Sequence, residues 1–397
     1  MKWPAENKPA TVNDEELLSG HPARGGFHFL LIIIFATFFW NGTLFCQSIF
    51  LDDEYLLPTR AAAMSAYVAD PDYPHAVVLN PAKLGFVQFV HAASDYQYFS
   101  RDVSELFLGD STSNPFQNGK LAAWDVSTAF PVGPLGAGIA YTSSYLGGWR
   151  TDVARFGIGF GLPLGFAAGI TGKYVMYTRS NSTSIPDGAT QIYQSNADKF
   201  TVDVGIENRT VLADNTFFLA IVSSGATFSN ILRSATLNPV SGPNLQPNPG
   251  IILPEVLTIG GSYLFASNYR VADFELFRLT GALDYSHLFK GSSPPDNLVS
   301  HTDQYRLGLE ASALGILSLR LGYTYKAPTV RVEDGYNHLQ VPMMGTGFSY
   351  GFSLRFPIKL VLPVLPITTI EMSYAKNPEW SSGMYHDLFG LTLEMLF

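Results

Sequence analysis

At 397 residues and a net charge of −9, with charged side chains at only 14% and aromatics also at 14%, the chain is too acidic for a nucleic-acid partner, which needs clustered Lys and Arg, and too poor in charge for an ordinary soluble domain. Yet mean hydropathy is only +0.13, and beyond the N-terminal region no apolar run approaches the roughly 18 residues of a spanning helix, so a helical membrane bundle is excluded as well. What is left is a chain whose apolar residues are interleaved with polar ones.

In chain order, the first feature is a nearly unbroken apolar run over 29–40, preceded by Arg24 and followed by Asn41, Gly42 and T-L-F-C-Q, the order of a signal peptide. The leader is predicted to span 1–46, with cleavage after Cys46 leaving Gln47 first. Two alternatives stand beside it: lipidation of Cys46, although Phe45 occupies the place where a lipobox has a small residue, and an uncleaved anchor. Cys46 is the chain's single cysteine, so no internal disulfide forms. Residues 47–85 precede the first clear strand and are predicted to form an N-terminal hatch or plug. Within them R-A-A-A-M-S-A-Y-V-A, starting at Arg60, suits a short helix; D-P-D-Y-P from Asp70 breaks it; and Asn80-Pro81-Ala82 predicts a rigid turn.

From residue 86 onward the pattern becomes strands. Alternation and turn punctuation place them at 86–99, 121–131, 134–146, 152–163, 165–178, 198–208, 215–224, 255–266, 273–288, 303–312, 316–326, 346–357, 366–376 and 386–397. Leu317, Leu319, Leu321, Tyr323 and Tyr325 alternate with Ser318, Arg320, Gly322, Thr324 and Lys326, and the terminal D-L-F-G-L-T-L-E-M-L-F puts Phe389, Leu391, Leu393, Met395 and Phe397 on one face. The phase weakens around 217–223, where Phe218 and Val222 are expected to face inward. Short connections (131–134, 163–165, 313–315) alternate with long polar ones (100–120, 179–197, 225–254, 290–302, 327–345), the habit of outer-membrane barrels with short periplasmic turns and long external loops. The expectation is an all-β, fourteen-stranded antiparallel transmembrane barrel over 86–397, in contact with outer-membrane lipids, with both termini periplasmic. Tyr and Phe at strand ends, such as Tyr96, Tyr174, Tyr325 and Tyr269, are expected at the interfaces.

With the apolar face outward, the lumen receives Lys173, Arg278, Arg306, Arg320 and Arg355 against Asp203, Glu207, Asp284, Glu310 and Glu371. Five of each sign disfavours a charge-selective pore, which shows rings of one sign, and favours a filled barrel with paired charges. Solvated lumen walls are the plainer alternative. Gly157, Gly159 and Gly161 alternate within one strand and are expected to make room for a close neighbour or the hatch.

Nothing in the sequence assembles an enzyme. No G-x-S-x-G is present, His75, His287, His301, His338 and His386 are read as surface or rim residues, and the acidic groups Asp52-Asp53-Glu54 and Asp70/Asp72 lack the ligand spacing of a calcium loop. No catalytic residue, metal site or cofactor is predicted.

The stretch T-R-A-A-A-M-S-A-Y-V-A-D-P-D-Y-P-H-A-V-V-L-N-P-A-K-L-G-F, residues 59–86, resembles the N-terminal signature of the FadL-like outer-membrane superfamily, with Ser65-Ala66 where that signature has Gly-Gly. Its N-P-A-K-L ending is similar to the PorV/PorQ branch, associated with type IX protein secretion. The resemblance implies that Asn80, Pro81 and Ala82 lie in a lumenal hatch. It implies first a barrel that assists secretion or surface attachment by binding cargo or partner proteins, and alternatively a transporter of fatty acids or hydrocarbons.

Overall fold

The computed structural model describes residues 57–70, 73–102, 120–146, 149–184, 190–231, 255–271, 274–289, 301–328, 346–358, 367–378 and 385–395. The leader, Cys46, Gln47 and most of the long connections lie outside the described residues.

Fourteen antiparallel strands close into one barrel: β1 Val90–Asp102, β2 Lys120–Val132, β3 Leu135–Leu146, β4 Trp149–Gly161, β5 Phe166–Ser184, β6 Thr190–Asp214, β7 Phe218–Ser229, β8 Glu255–Ser267, β9 Phe277–Phe289, β10 His301–Ala313, β11 Leu317–Pro328, β12 Gly347–Phe356, β13 Ile367–Pro378 and β14 Tyr385–Met395. Each pairs with its sequence neighbours, and the ring shuts where Val90 to Tyr98 of β1 lie opposite Met395 to Asp387 of β14. A barrel leaves no unpaired strand edge, which is why the pattern must be continued all the way round.

The period of two sets the two faces. In β4, Phe156, Ile158 and Phe160 are exposed while Arg155, Gly157 and Gly159 point inward; in β12, Phe348, Tyr350, Phe352 and Leu354 are exposed opposite the buried Ser349, Gly351 and Ser353. Outward rings touch across strands, as Tyr285, Tyr305 and Tyr325 do over β9 to β11 (centroids 5.2 and 6.3 Å) and Phe352, Tyr374 and Phe389 over β12 to β14 (5.6 and 5.3 Å). Two of the short turns place Leu164-Gly165 and Leu314-Gly315 in the left-handed region, with φ of 64° and 75°, and 53° and 60°, the backbone twist that tight hairpins require.

Three expectations need correction. Residues 179–184 and 190–197 are ladder rather than loop: β5 and β6 stay paired out to Ser184 opposite Thr190. The hatch's 3-10 helix runs on to Phe86, expected as the first strand residue, and β1 starts at Val90. In β7 it is Leu219 and Ile221, paired with the inward Ala266 and Leu264 of β8, that line the lumen, whereas Phe218 packs beside the outward Phe265 at 5.3 Å.

Inside the barrel sits the N-terminal segment. Helix α1, Thr59–Met64, is alanine-rich and stops at Ser65, whose φ of 60° turns the chain; a four-residue helix α2, Ala76–Leu79, leads to a 3-10 helix, Pro81–Phe86. Helix α1 packs on β11 to β13, and the 3-10 helix on β4 to β6, so the segment spans from one wall to the facing one.

Candidate functional site

The seat of the hatch is built from glycine. A Cβ at Gly136 would lie 1.8 Å from the Leu84 carbonyl oxygen, one at Gly169 2.2 Å from that of Pro81, and one at Gly308 2.3 Å from that of Met64. These are inward positions where strand backbone meets hatch backbone, and any side chain would hold the two apart. Gly159 and Gly161 of β4 carry the same contact, against Pro81 and Gly85, while Gly157 makes room for the side chains of Val77 and Leu84. Around the seat Met64, Val77 and Leu84 are fully buried.

Asn80 is the fixed point of the turn. Its Nδ2 donates to the Val68 carbonyl at 3.0 Å, and its Oδ1 accepts from the Ala82 amide at 3.1 Å, so one buried side chain ties two separate strands of hatch backbone. Pro81 follows at the first position of the 3-10 helix, where its missing N–H costs nothing. Asn80→Ala orphans a buried carbonyl and a buried amide. The expected cost is about 2 kcal/mol, read as lost hydrogen-exchange protection over 76–86 with protection of the strands unchanged.

The inward charges are distributed over several partners. Lys173 Nζ meets Asp203 at 2.8 Å, both buried, and the second role of Asp203 is to accept the Asn230 amide at 2.9 Å. Asp284 accepts the amides of Tyr67 and Val68 at 2.5 and 3.0 Å, and Arg306 lies over the Tyr67 ring while donating to Ser286 and Gln304. Glu207 pairs with Arg209 at 2.7 Å; Arg209 covers the Phe86 ring and donates to the Tyr73 hydroxyl. Arg278 pairs with Glu275 three residues before it.

The longest array is a relay of alternating sign, Asp70, Arg60, Glu310, Arg320, Glu371 and Arg355, with contacts of 2.5, 3.0, 2.6, 3.0 and 2.8 Å in that order. Three acids face three bases. Arg60 and Asp70 come from the hatch and the rest from β10 to β13, so the relay fastens the plug to the wall.

Sequence reasoning passed over a further group. His75, expected at the surface, is buried at 3%, and its Nε2 stands 2.7 Å from Asp95 Oδ2 on β1 and 3.7 Å from Asp125 Oδ1 on β2. Asp95 and Asp125 are direct cross-strand partners. The signal for both aspartates was present: each alternates with the outward Tyr96 or Trp124.

Beneath the hatch a cavity of about 480 Å³ reaches toward the short-turn end of the barrel. One stretch of its wall is apolar, with Leu219, Ile221, Leu264 and Ala266 of β7 and β8 together with Phe86 and Phe89. Another carries Arg60, Glu310, Arg320, Arg355 and Glu371 of the relay, and His75 and Asp95 also reach it.

No family model matches the chain, nor does any curated protein. Among solved structures the chain is similar to a Pseudomonas aeruginosa FadL homologue (11% identity, covering 85% of this chain and 98% of that one, TM-score 0.44). It is likewise similar to the Ralstonia pickettii toluene transporter TbuX (12%, 86% and 98%, 0.46) and the P. putida toluene transporter TodX (11%, 86% and 98%, 0.47). The closed fourteen-strand architecture rests on the strand pairing given above.

Proposed function

We propose that the chain is a non-enzymatic outer-membrane barrel that accepts a hydrophobic or amphipathic small molecule into the cavity beneath its hatch. In this reading 1–46 is a leader cleaved between Cys46 and Gln47, the hatch follows as far as Phe86, and the barrel strands run from Val90, with the short turns and both termini in the periplasm. The exterior supports a lipid surround: exposed Phe, Leu and Tyr side chains recur on strand after strand, and strands of 10 residues or more are long enough to cross when tilted.

The observation that carries the functional reading is the apolar wall formed by Leu219, Ile221, Leu264 and Ala266. A lumen meant only for water has no use for four inward apolar side chains in register across two strands. The cavity's size falls in the range of small-molecule sites, and its second, charged wall suits the polar head of an amphiphile. The neighbouring transporters are described as channels for toluene and monoaromatic hydrocarbons, ligands of the same apolar character.

This reverses the order that the sequence suggests, in which secretion comes first. A secretion-associated barrel of the PorV/PorQ type remains the second reading, favoured by one observation, the backbone-to-backbone seating of the hatch.

Binding decides between them. Purified barrel in detergent is expected to bind a fluorescent long-chain carboxylate or a fluorescent aromatic hydrocarbon saturably, and Ile221→Asp and Leu264→Asp to weaken that binding by at least about tenfold, as burial of one such side chain is worth ~1.5–3 kcal/mol. No saturable binding, combined with failed export of proteins bearing type IX signals in a deletion strain, would hand the role to secretion.

A further inference from the structure

Asp125 is an inward side chain on β2, 4% exposed, and neither of its carboxylate oxygens has a hydrogen-bond partner. A buried carboxylate left so is expensive, because it has given up water and received nothing in return. Directly across the ladder is a second buried carboxylate, Asp95, and like charges opposite one another on a strand pair repel. The nearby cation, Arg155 of β4, donates through its Nη1 to the Thr142 hydroxyl at 2.5 Å and attracts Asp125 without hydrogen-bonding it. The histidine completing the group comes from a different part of the chain, the residue that leads into α2 of the hatch.

Nitrogen from His75 and one oxygen each from Asp95 and Asp125 lie within 4.8 Å of one another. Bonds of about 2.0–2.2 Å to a tetrahedral zinc ion put ligand atoms about 3.3–3.5 Å apart. The two separations from His75 here, 2.7 and 3.7 Å, lie within an ångström of that spacing on either side. One imidazole and two carboxylates suit a borderline divalent ion such as Zn²⁺, whose charge cancels theirs. The second oxygen of Asp95 already accepts the Thr59 amide at 2.9 Å, which holds its carboxylate in orientation. His75 and Asp95 also line the cavity, which supplies an entry path and a solvent molecule for a fourth position.

We propose that His75, Asp95 and Asp125 form a site for a divalent transition ion, with Zn²⁺ the best match, that clips the hatch to β1 and β2. The clip lies on β1 and β2, a short way round the ring from the relay strand β13, so the hatch is held at a second point of the wall. The site does not depend on which small molecule or partner the barrel serves.

The test uses the intact barrel, stripped with EDTA and titrated with ZnCl₂ alone. Wild type is expected to bind one Zn²⁺ per chain with a raised unfolding midpoint, and Co²⁺ substitution to give the visible absorption of a low-symmetry N/O site. Asp125→Asn keeps the shape and removes one charged ligand. Together with His75→Gln, it is expected to weaken binding by at least about tenfold and to abolish the zinc-dependent shift, with heat-modifiable migration confirming a folded barrel. His287→Ala, on β9 and paired with Asp303 away from this group, should leave zinc binding unchanged. Equal zinc binding by wild type and Asp125→Asn, or none by wild type, would overturn the proposal; in the latter case a proton shared between the two aspartates accounts for their proximity.

Discussion

Gly169→Val is expected to evict the hatch while the barrel still forms. The valine Cβ would stand 2.2 Å from the Pro81 carbonyl oxygen, 2.3 Å from its carbon and 2.8 Å from the Ala82 nitrogen, all of them backbone atoms. Over-packing of a core by movable side chains usually costs about 1–3 kcal/mol, but here nothing flexible is available to yield. Separating the surfaces instead exposes Met64, Val77 and Leu84, each worth ~1.5–3 kcal/mol of burial. Either route removes most of what holds the segment. Limited trypsin digestion should therefore cut at Arg60 and Lys83, which the wild type protects, and planar-bilayer recording should show an open conductance absent from wild type. Gly172→Ala is the control, three residues along the same strand, where a Cβ meets only the edge of the Phe200 ring at 3.3 Å. A variant with an intact, protease-resistant hatch would show that the glycine seat is dispensable.

The second large effect is expected at Glu310. Its carboxylate accepts from Arg60 at 3.0 and 3.1 Å and from Arg320 at 2.6 Å; Glu310 and Arg320 are buried and Arg60 is partly buried. Glu310→Ala leaves two guanidinium groups facing one another without the anion between them, at a cost of about 3–5 kcal/mol. The partner at the far end of the relay behaves differently. Arg355, whose side chain is 43% exposed, makes a pair that water already screens, so Arg355→Ala is expected to cost no more than ~1 kcal/mol. Urea unfolding in detergent, with the Glu310→Ala/Arg320→Ala double variant closing a thermodynamic cycle, separates the two cases: the double variant should recover part of the loss, because it removes the stranded cation and leaves Asp70 paired with Arg60 and Glu371 paired with Arg355. Equal midpoints for the Glu310 and Arg355 variants would mean that the relay is solvated.

Much of the fold was legible because an apolar outer face and a polar or hatch-packed inner face alternate with a two-residue period, and that period survives in the sequence of β4, β11 and β12. It fails where the two sides stop differing. Residues 179–184 and 190–197 are rich in Ser, Asn and Thr and read as loop, although their backbones stay paired beyond the apolar zone. In β7 both faces are apolar, so Leu219 and Ile221 looked no more inward than Phe218 and Val222. The ten lumen charges and the Asn80 turn were legible one by one, but their partners were not. Arg60 reaches Glu310 across 250 positions of sequence, and no local pattern encodes such a meeting. His75 was misjudged for the same reason, since its burial comes from strands that only the closed ring brings around it.

The closure between β1 and β14 has a consequence for biogenesis. The plug precedes β1 in the chain and β14 closes the ring, so the segment is synthesised before the strands that complete its enclosure. Only Val87 to Phe89 separate it from β1, which tethers it to the closing seam. Closure and plugging are therefore expected to coincide while the glycine seat is intact, and a seat that rejects the segment lets the cylinder close without it.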